Sequence, residues 1–147
     1  MPTAKQSQRM ATNRIALLCI GGVMAMLGVG CASHLKVAGT NGEILVSFSG
    51  ARGQKIPVTS ISVFEMEEGR RGRTVCDVNS PSLDRLVRLM WWQYGRRIPG
   101  YEMRVTCERL VPQKLYGVRV TTPAESALVT DFVVRPDGSV SDLGTDH

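Results

Sequence analysis

Charge and hydropathy divide this chain into unlike stretches. Residues 1–14 carry Lys5, Arg9 and Arg14 and no acidic side chain, and Ile15–Gly30 (IALLCIGGVMAMLGVG) carries no charge at all. A basic end followed by a short apolar run closing on small residues has the composition of a secretory signal, so 1–30 is predicted as a signal helix. The small, polar, glycine-bearing residues 31–42 read as a flexible tether. From Glu43 onward the chain changes to short β-branched runs broken by Gly, Pro, Asn and Asp, which predicts an all-β domain over 43–147.

Within that domain the alternation names faces. Ile56–Met66 sets Ile56, Val58, Ser60, Ser62, Phe64 and Met66 on one side, with Ile61 and Val63 on the other. Leu115–Thr121 sets Leu115, Gly117 and Arg119 against the apolar row Tyr116, Val118 and Val120. Glu43–Phe48 alternates less cleanly, Thr74–Val78 is short and apolar, and Ala127–Val134 runs into Pro136-Asp137-Gly138, a turn in which Gly138 can take positive φ. Residues 83–94 admit two readings. Leu83, Leu86, Val87, Met90, Trp91 and Tyr94 fall at helical spacing after Ser80-Pro81, favouring a short helix near 83–90; 86–94 also reads as a strand apolar on both faces.

A resemblance favours the strand. Leu110-x-Pro112-x-x-x-Tyr116-x-Val118-x-Val120 is similar to the tyrosine-corner pattern of fibronectin type III and immunoglobulin-like domains. It implies an Ig-like β-sandwich in which the Tyr116 hydroxyl bonds back to the preceding loop. Tyr94-Gly95-Arg96-Arg97-Ile98-Pro99-Gly100-Tyr101 resembles the strand and turn that precede this corner in small Gram-negative lipoproteins, and the two motifs together cover roughly residues 73–140. An Ig domain places its inter-sheet cysteine two residues after the corner tyrosine, where this chain has Val118.

Leu27-Gly28-Val29-Gly30-Cys31 resembles the lipobox of bacterial lipoproteins, with Leu27 one place further from the cysteine than is usual. The resemblance implies lipidation of Cys31 and cleavage before it. Ala32 rather than Asp after the cysteine implies the outer membrane, on its periplasmic face. The alternative is an uncleaved anchor: Ile15–Leu35 is 21 residues without formal charge, and about 20 suffice to span a bilayer. Four glycines between positions 21 and 30 weaken such a helix and leave Cys31 without a role.

Removing residues 1–30 takes away three of the 18 basic residues and none of the 13 acidic ones, so the net charge falls from +5 to +2. The basic balance belongs mostly to the leader, and nucleic-acid binding is not expected. With Cys31 lipidated, Cys76 and Cys107 are left as a pair in a compartment that permits disulfides. Free thiols or a metal pair are the other readings. For a metal, His34 and His147 lie near the termini and no Cys-x-x-Cys spacing occurs. No metal or cofactor is expected.

Catalytic arrangements fail similarly. There is no Gly-x-Ser-x-Gly, and Gly50-Ala51-Arg52-Gly53 lacks the lysine of a phosphate loop. Glu65, Glu67 and Glu68 lead into Gly69-Arg70-Arg71-Gly72-Arg73, a solvated hairpin end with local ion pairs. The chain is not expected to be an enzyme. Arg70-Arg71 and Arg96-Arg97 are candidate contacts for carboxylates or phosphates, the second pair strengthened by Trp91, Trp92, Tyr94 and Tyr101 nearby. If 91 and 92 lie in a strand, one tryptophan is core and its neighbour faces outward; Trp92, Arg96 and Arg97 are taken as the better contact set. The expected function is a membrane-anchored, non-enzymatic interaction module of the cell envelope that meets an envelope protein or an anionic envelope component. The rivals are a structural subunit of an envelope or secretion machine and an inhibitor of a periplasmic hydrolase.

Overall fold

Two-residue turns set the frame of the molecule. Asn41 and Gly42 both take positive φ (54° and 82°), as a type I′ hairpin turn requires and as Asn-Gly readily supplies. They join β1 (Ala32–Thr40) to β2 (Glu43–Gly50) with Thr40 opposite Glu43. The computed structural model describes residues 32–124 and 127–144. Residues 1–30, where a signal segment is expected, Cys31 and His147 lie outside the described residues.

This hairpin corrects the tether predicted over 31–42. The small and polar residues of 32–40 hide an alternation: Leu35 and Val37 sit opposite Phe48 and Val46 and pack on the core, while Lys36 and Ala38 face the other way. A strand therefore begins at Ala32, directly after Cys31 in the chain.

The remaining strands are β3 (Ile56–Pro57), β4 (Ser60–Glu67), β5 (Arg70–Asn79), β6 (Arg88–Leu89), β7 (Trp91–Gln93), β8 (Glu102–Val105), β9 (Leu115–Thr121), β10 (Ala127–Val134) and β11 (Val140–Gly144). All recorded pairings are antiparallel. They form a three-stranded sheet, β1-β2-β7, a six-stranded sheet, β11-β10-β9-β4-β5-β8, and a small β3-β6 ribbon. The larger sheets pack as an all-β sandwich. Its core takes Val46, Phe48 and Trp92 from one sheet and Ile61, Val63, Val118, Val120 and Phe132 from the other. Burying each such aliphatic or phenyl side chain contributes about 1.5–3 kcal/mol.

The face division of β9 follows its alternation, with Tyr116, Val118 and Val120 inward. In β4, Ile61 and Val63 are the inward pair because they lie opposite Val120 and Val118. Ser62 and Phe64 are thereby turned to the outer face. Gly138 adopts φ 79°, and its amide closes the turn onto the Arg135 carbonyl at 2.9 Å.

Residues 83–94 form neither a helix nor one strand. Leu83–Arg85 makes a single 3₁₀ turn, its start capped by the Ser82 hydroxyl accepting from the Asp84 amide. Leu86 is already extended, and the chain then breaks into β6 and β7, which pair with different partners. The helical spacing was a by-product of apolar residues on both faces of an extended segment. Among the described residues no helix is long and apolar enough to cross a membrane.

Candidate interaction surface

The geometry begins with two adjacent tryptophans on one short strand. In the β2–β7 register Val46 opposes Trp92 and Ser47 opposes Trp91. Because Val46 points into the core, Trp92 must follow it, and Trp91 takes the opposite face. Trp92 is 3 % exposed. Its Nε1–H donates to the Arg96 carbonyl at 2.7 Å, and its ring meets Tyr94 edge-on at 5.8 Å. This corrects the assignment of Trp92 as a contact residue: pairing with a core-facing valine makes it the anchor that fixes the 92–96 turn. The outward residue is Trp91, 58 % exposed.

Trp92 also shapes what lies beside it. By holding the Arg96 carbonyl it draws segment 96–99 back along the flank of β7, and Ile98 is buried there. Between this segment and β7 runs a groove of about 340 Å³. Leu89, Met90, Trp91 and Pro99 contribute apolar wall, and Lys55, Arg88, Arg96 and Arg97 are its charged lining, with no carboxylate among the lining residues. The Arg88 guanidinium donates to the Lys55 carbonyl at 3.1 Å, which holds Arg88 against the backbone of the Lys55 loop. Met90 continues into a second hollow of about 300 Å³ that includes His34 and Lys36 of β1. On its other side Trp91 borders a shallow concavity of about 510 Å³ with Ala38, Leu45 and Gln93, where Glu43 marks the far end.

Arg96 and Arg97 are thus brought together with Trp91, and they make no ion pair among the described residues. Tyr94 and Tyr101 are pins rather than contacts. The Tyr94 hydroxyl donates to the Glu108 carbonyl at 2.7 Å, and burial pushes its pKa well up. The Tyr101 hydroxyl donates to the Val58 carbonyl and accepts from the Val87 amide; burial raises it too.

Arg70 and Arg71 lie elsewhere, at the β4–β5 turn of the six-stranded sheet. The Arg71 guanidinium sits 4.7 Å over the Phe64 ring and donates to Thr74 Oγ1 at 3.3 Å. Arg73 is tied down more firmly: it bridges Glu65 at 2.9 Å and Glu108, while Lys114 reaches the same Glu65 oxygen at 2.8 Å. The Lys114 ammonium first, then Arg73, holds the Glu65 carboxyl below its ordinary range, and Arg73 does the same for Glu108. Glu67 and Glu68 are solvated as expected of a hairpin end. Glu65 is not: it is 7 % exposed, opposite Tyr116 in the sheet, and held both by Arg73 of the same hairpin, a local ion pair of the expected kind, and by Lys114 from a distant part of the sequence.

Cys76 and Cys107 stand at disulfide distance, their Cα atoms 4.1 Å apart. Cys76 is on β5, and Cys107 follows β8, the neighbour of β5, so the link runs along one sheet rather than between sheets. The Glu108 amide continues this pairing onto the Val75 carbonyl at 3.0 Å. The Tyr116 hydroxyl accepts from the Val111 amide at 2.8 Å, tying the start of β9 to the loop before it. Among the described residues no cluster of three or more His, Cys, Asp or Glu side chains could hold a metal ion.

Sequence reasoning set Trp91 near the arginine pair but chose Trp92 for the contact set, and it missed Lys55, Arg88 and Met90 as members of the same surface. Period-two alternation separates Trp91 from Trp92, but only the partner strand says which is inside. Comparison with known protein families, with characterised proteins and with solved structures finds no match for this chain.

Proposed function

We propose that this chain is a lipid-anchored, non-enzymatic interaction module of the cell envelope, held through Cys31 on the periplasmic face of the outer membrane and presenting the Trp91 groove to an envelope component. The observation that carries the reading is the lipobox-like Leu27–Cys31, placed one residue before the first strand of an all-β sandwich. Burying acyl chains contributes about 0.8 kcal/mol per methylene, and more than one chain makes a stable anchor. The groove supports the interaction half of the reading: an exposed indole beside four cations has the residue types that dominate interface hot spots. The Tyr116–Val111 bond supports an Ig-like assignment for the sandwich.

Metabolic labelling with palmitate tests the anchor. Label is expected on the wild-type chain and in the membrane fraction, with both lost in C31S. Equal fractionation and maturation of C31S would overturn the reading.

A further inference from the structure

The first strand and the Trp91 wall of the groove belong to one sheet, and that fixes where an acylated Cys31 would bring the groove. Cys31 is bonded to Ala32, so its Cα lies about 3.8 Å from the start of β1. Ala32 opposes Gly50, which opens the Gly50–Lys55 connection carrying Arg52 and Lys55. Lys36, Ser47 and Trp91 lie in line across β1, β2 and β7. With strands about 4.8 Å apart and a rise of about 3.3 Å per residue, Trp91 lies about 20 Å from the anchor point. Met90, next to Trp91, borders the hollow that holds His34 and Lys36 on the anchor side, and Lys55 and Arg88, beside and on the β3–β6 ribbon, join Trp91 in the groove lining. The absence of a tether matters here. A sandwich joined to its bilayer with no intervening linker meets that bilayer before any other partner, and a short connection gives an effective concentration of order millimolar.

The lining chemistry selects the occupant. Lys55, Arg88, Arg96 and Arg97 are unbalanced by any lining carboxylate, and they surround Trp91, Met90 and Leu89. Tryptophan favours the headgroup level of a bilayer, and basic clusters are drawn to anionic lipid. His34 and Lys36 extend the same face towards the anchor, whereas Glu43 is at the opposite end of the sheet. Resting on the proposed acylation of Cys31, we infer that the Trp91 groove docks on the anionic phospholipid headgroups of the bilayer that carries the protein's own anchor, laying the three-stranded sheet side-on to the membrane. Guanidinium forks take headgroup phosphates and the indole enters the interface. An acidic envelope protein in the groove is the competing outcome.

The test uses the full processed protein, purified from membranes with its acylation verified by label and reconstituted into vesicles whose lipids are brominated near the headgroup. Tryptophan emission is read in phosphatidylethanolamine vesicles with and without phosphatidylglycerol. Quenching is expected with phosphatidylglycerol alone, abolished in 1 M salt, where the screening length falls to about 3 Å. In W91F quenching should fall sharply, because the remaining Trp92 lines the groove from beneath and is only 3 % exposed. K55Q and R97Q should each weaken docking by about fivefold, the effect of one basic residue near an anionic surface. Quenching that is equal in both lipids, absent with phosphatidylglycerol, or unchanged in W91F overturns the docking site, as does a groove crosslink formed with protein instead of lipid. Absence of acyl label overturns the anchor itself and this inference with it, so the two failures are told apart.

Discussion

The two outer faces of the sandwich carry the same kinds of residue and use them in opposite ways. On the six-stranded sheet, Phe64 lies across Gly117 so closely that a Cβ there would meet the ring at 2.4 Å. Arg71 stacks above it, and the phenyl is only 4 % exposed. Nearby, Arg73, Lys114, Glu65 and Glu108 neutralise one another. On the three-stranded sheet, Trp91 is exposed, and Arg96 and Arg97 face a groove without carboxylates. An aromatic-arginine cluster is therefore not a binding surface by composition. What separates the two faces is whether the fold leaves the cations uncompensated and the ring uncovered.

The sharpest way to break this contrast is the tryptophan pair itself. W92A should cost about 3–5 kcal/mol, as large aromatic truncations in cores do, whereas W91A should change stability by no more than about 0.5 kcal/mol. Denaturant midpoints of both variants check this, and equal costs would show that the faces have been assigned wrongly. Next in size is the brace on the closed side. With Cys76 and Cys107 separated by 31 positions in sequence, C76S/C107S should lose about 3–4 kcal/mol on the chain-entropy account, measured by chemical unfolding under oxidising conditions. Y116F should cost about 1–3 kcal/mol, because the Val111 amide loses its acceptor; a smaller loss would show that water replaces the hydroxyl.

The closed cluster should also make stability depend on pH. Glu65 and Glu108 have folded pKa values below the ordinary 4.5, so on acidification the unfolded chain takes up protons first. Their contribution is complete above the ordinary value and is lost as pH falls through the lowered folded ones. Thermal unfolding from pH 7 to pH 3 should show this decline, with a shallower slope in E65Q. An unchanged slope would mean that the ion pairs do not persist in solution. Among the substitutions on the closed face the smallest effect is R71A, at about 0.5–1 kcal/mol for a solvent-exposed cation stacked on a ring.

Much of this architecture can be read from residue patterns, and the exceptions have a common cause. The all-β class, the inward row of β9, the Pro136-Asp137-Gly138 turn and the proximity of Cys76 and Cys107 follow from local alternation, turn chemistry and cysteine count. What depends on a partner strand does not. Leu35 and Val37 look like tether residues until Val46 and Phe48 lie beside them, although the Asn41-Gly42 hairpin signal was present. Trp91 and Trp92 are distinguished only by Val46. Glu65 resembles its solvated neighbours Glu67 and Glu68, and only the approach of Lys114 from the far side of the β8–β9 connection buries it in an ion-pair network. The groove likewise draws Lys55 and Arg97 from segments more than 40 residues apart.

Intact mass of the protein purified from membranes tests the central claim most directly. The account predicts a chain beginning at Cys31, carrying acyl mass on that residue and lacking the two thiol hydrogens of Cys76 and Cys107. A mass retaining residues 1–30 with Cys31 unmodified would contradict it.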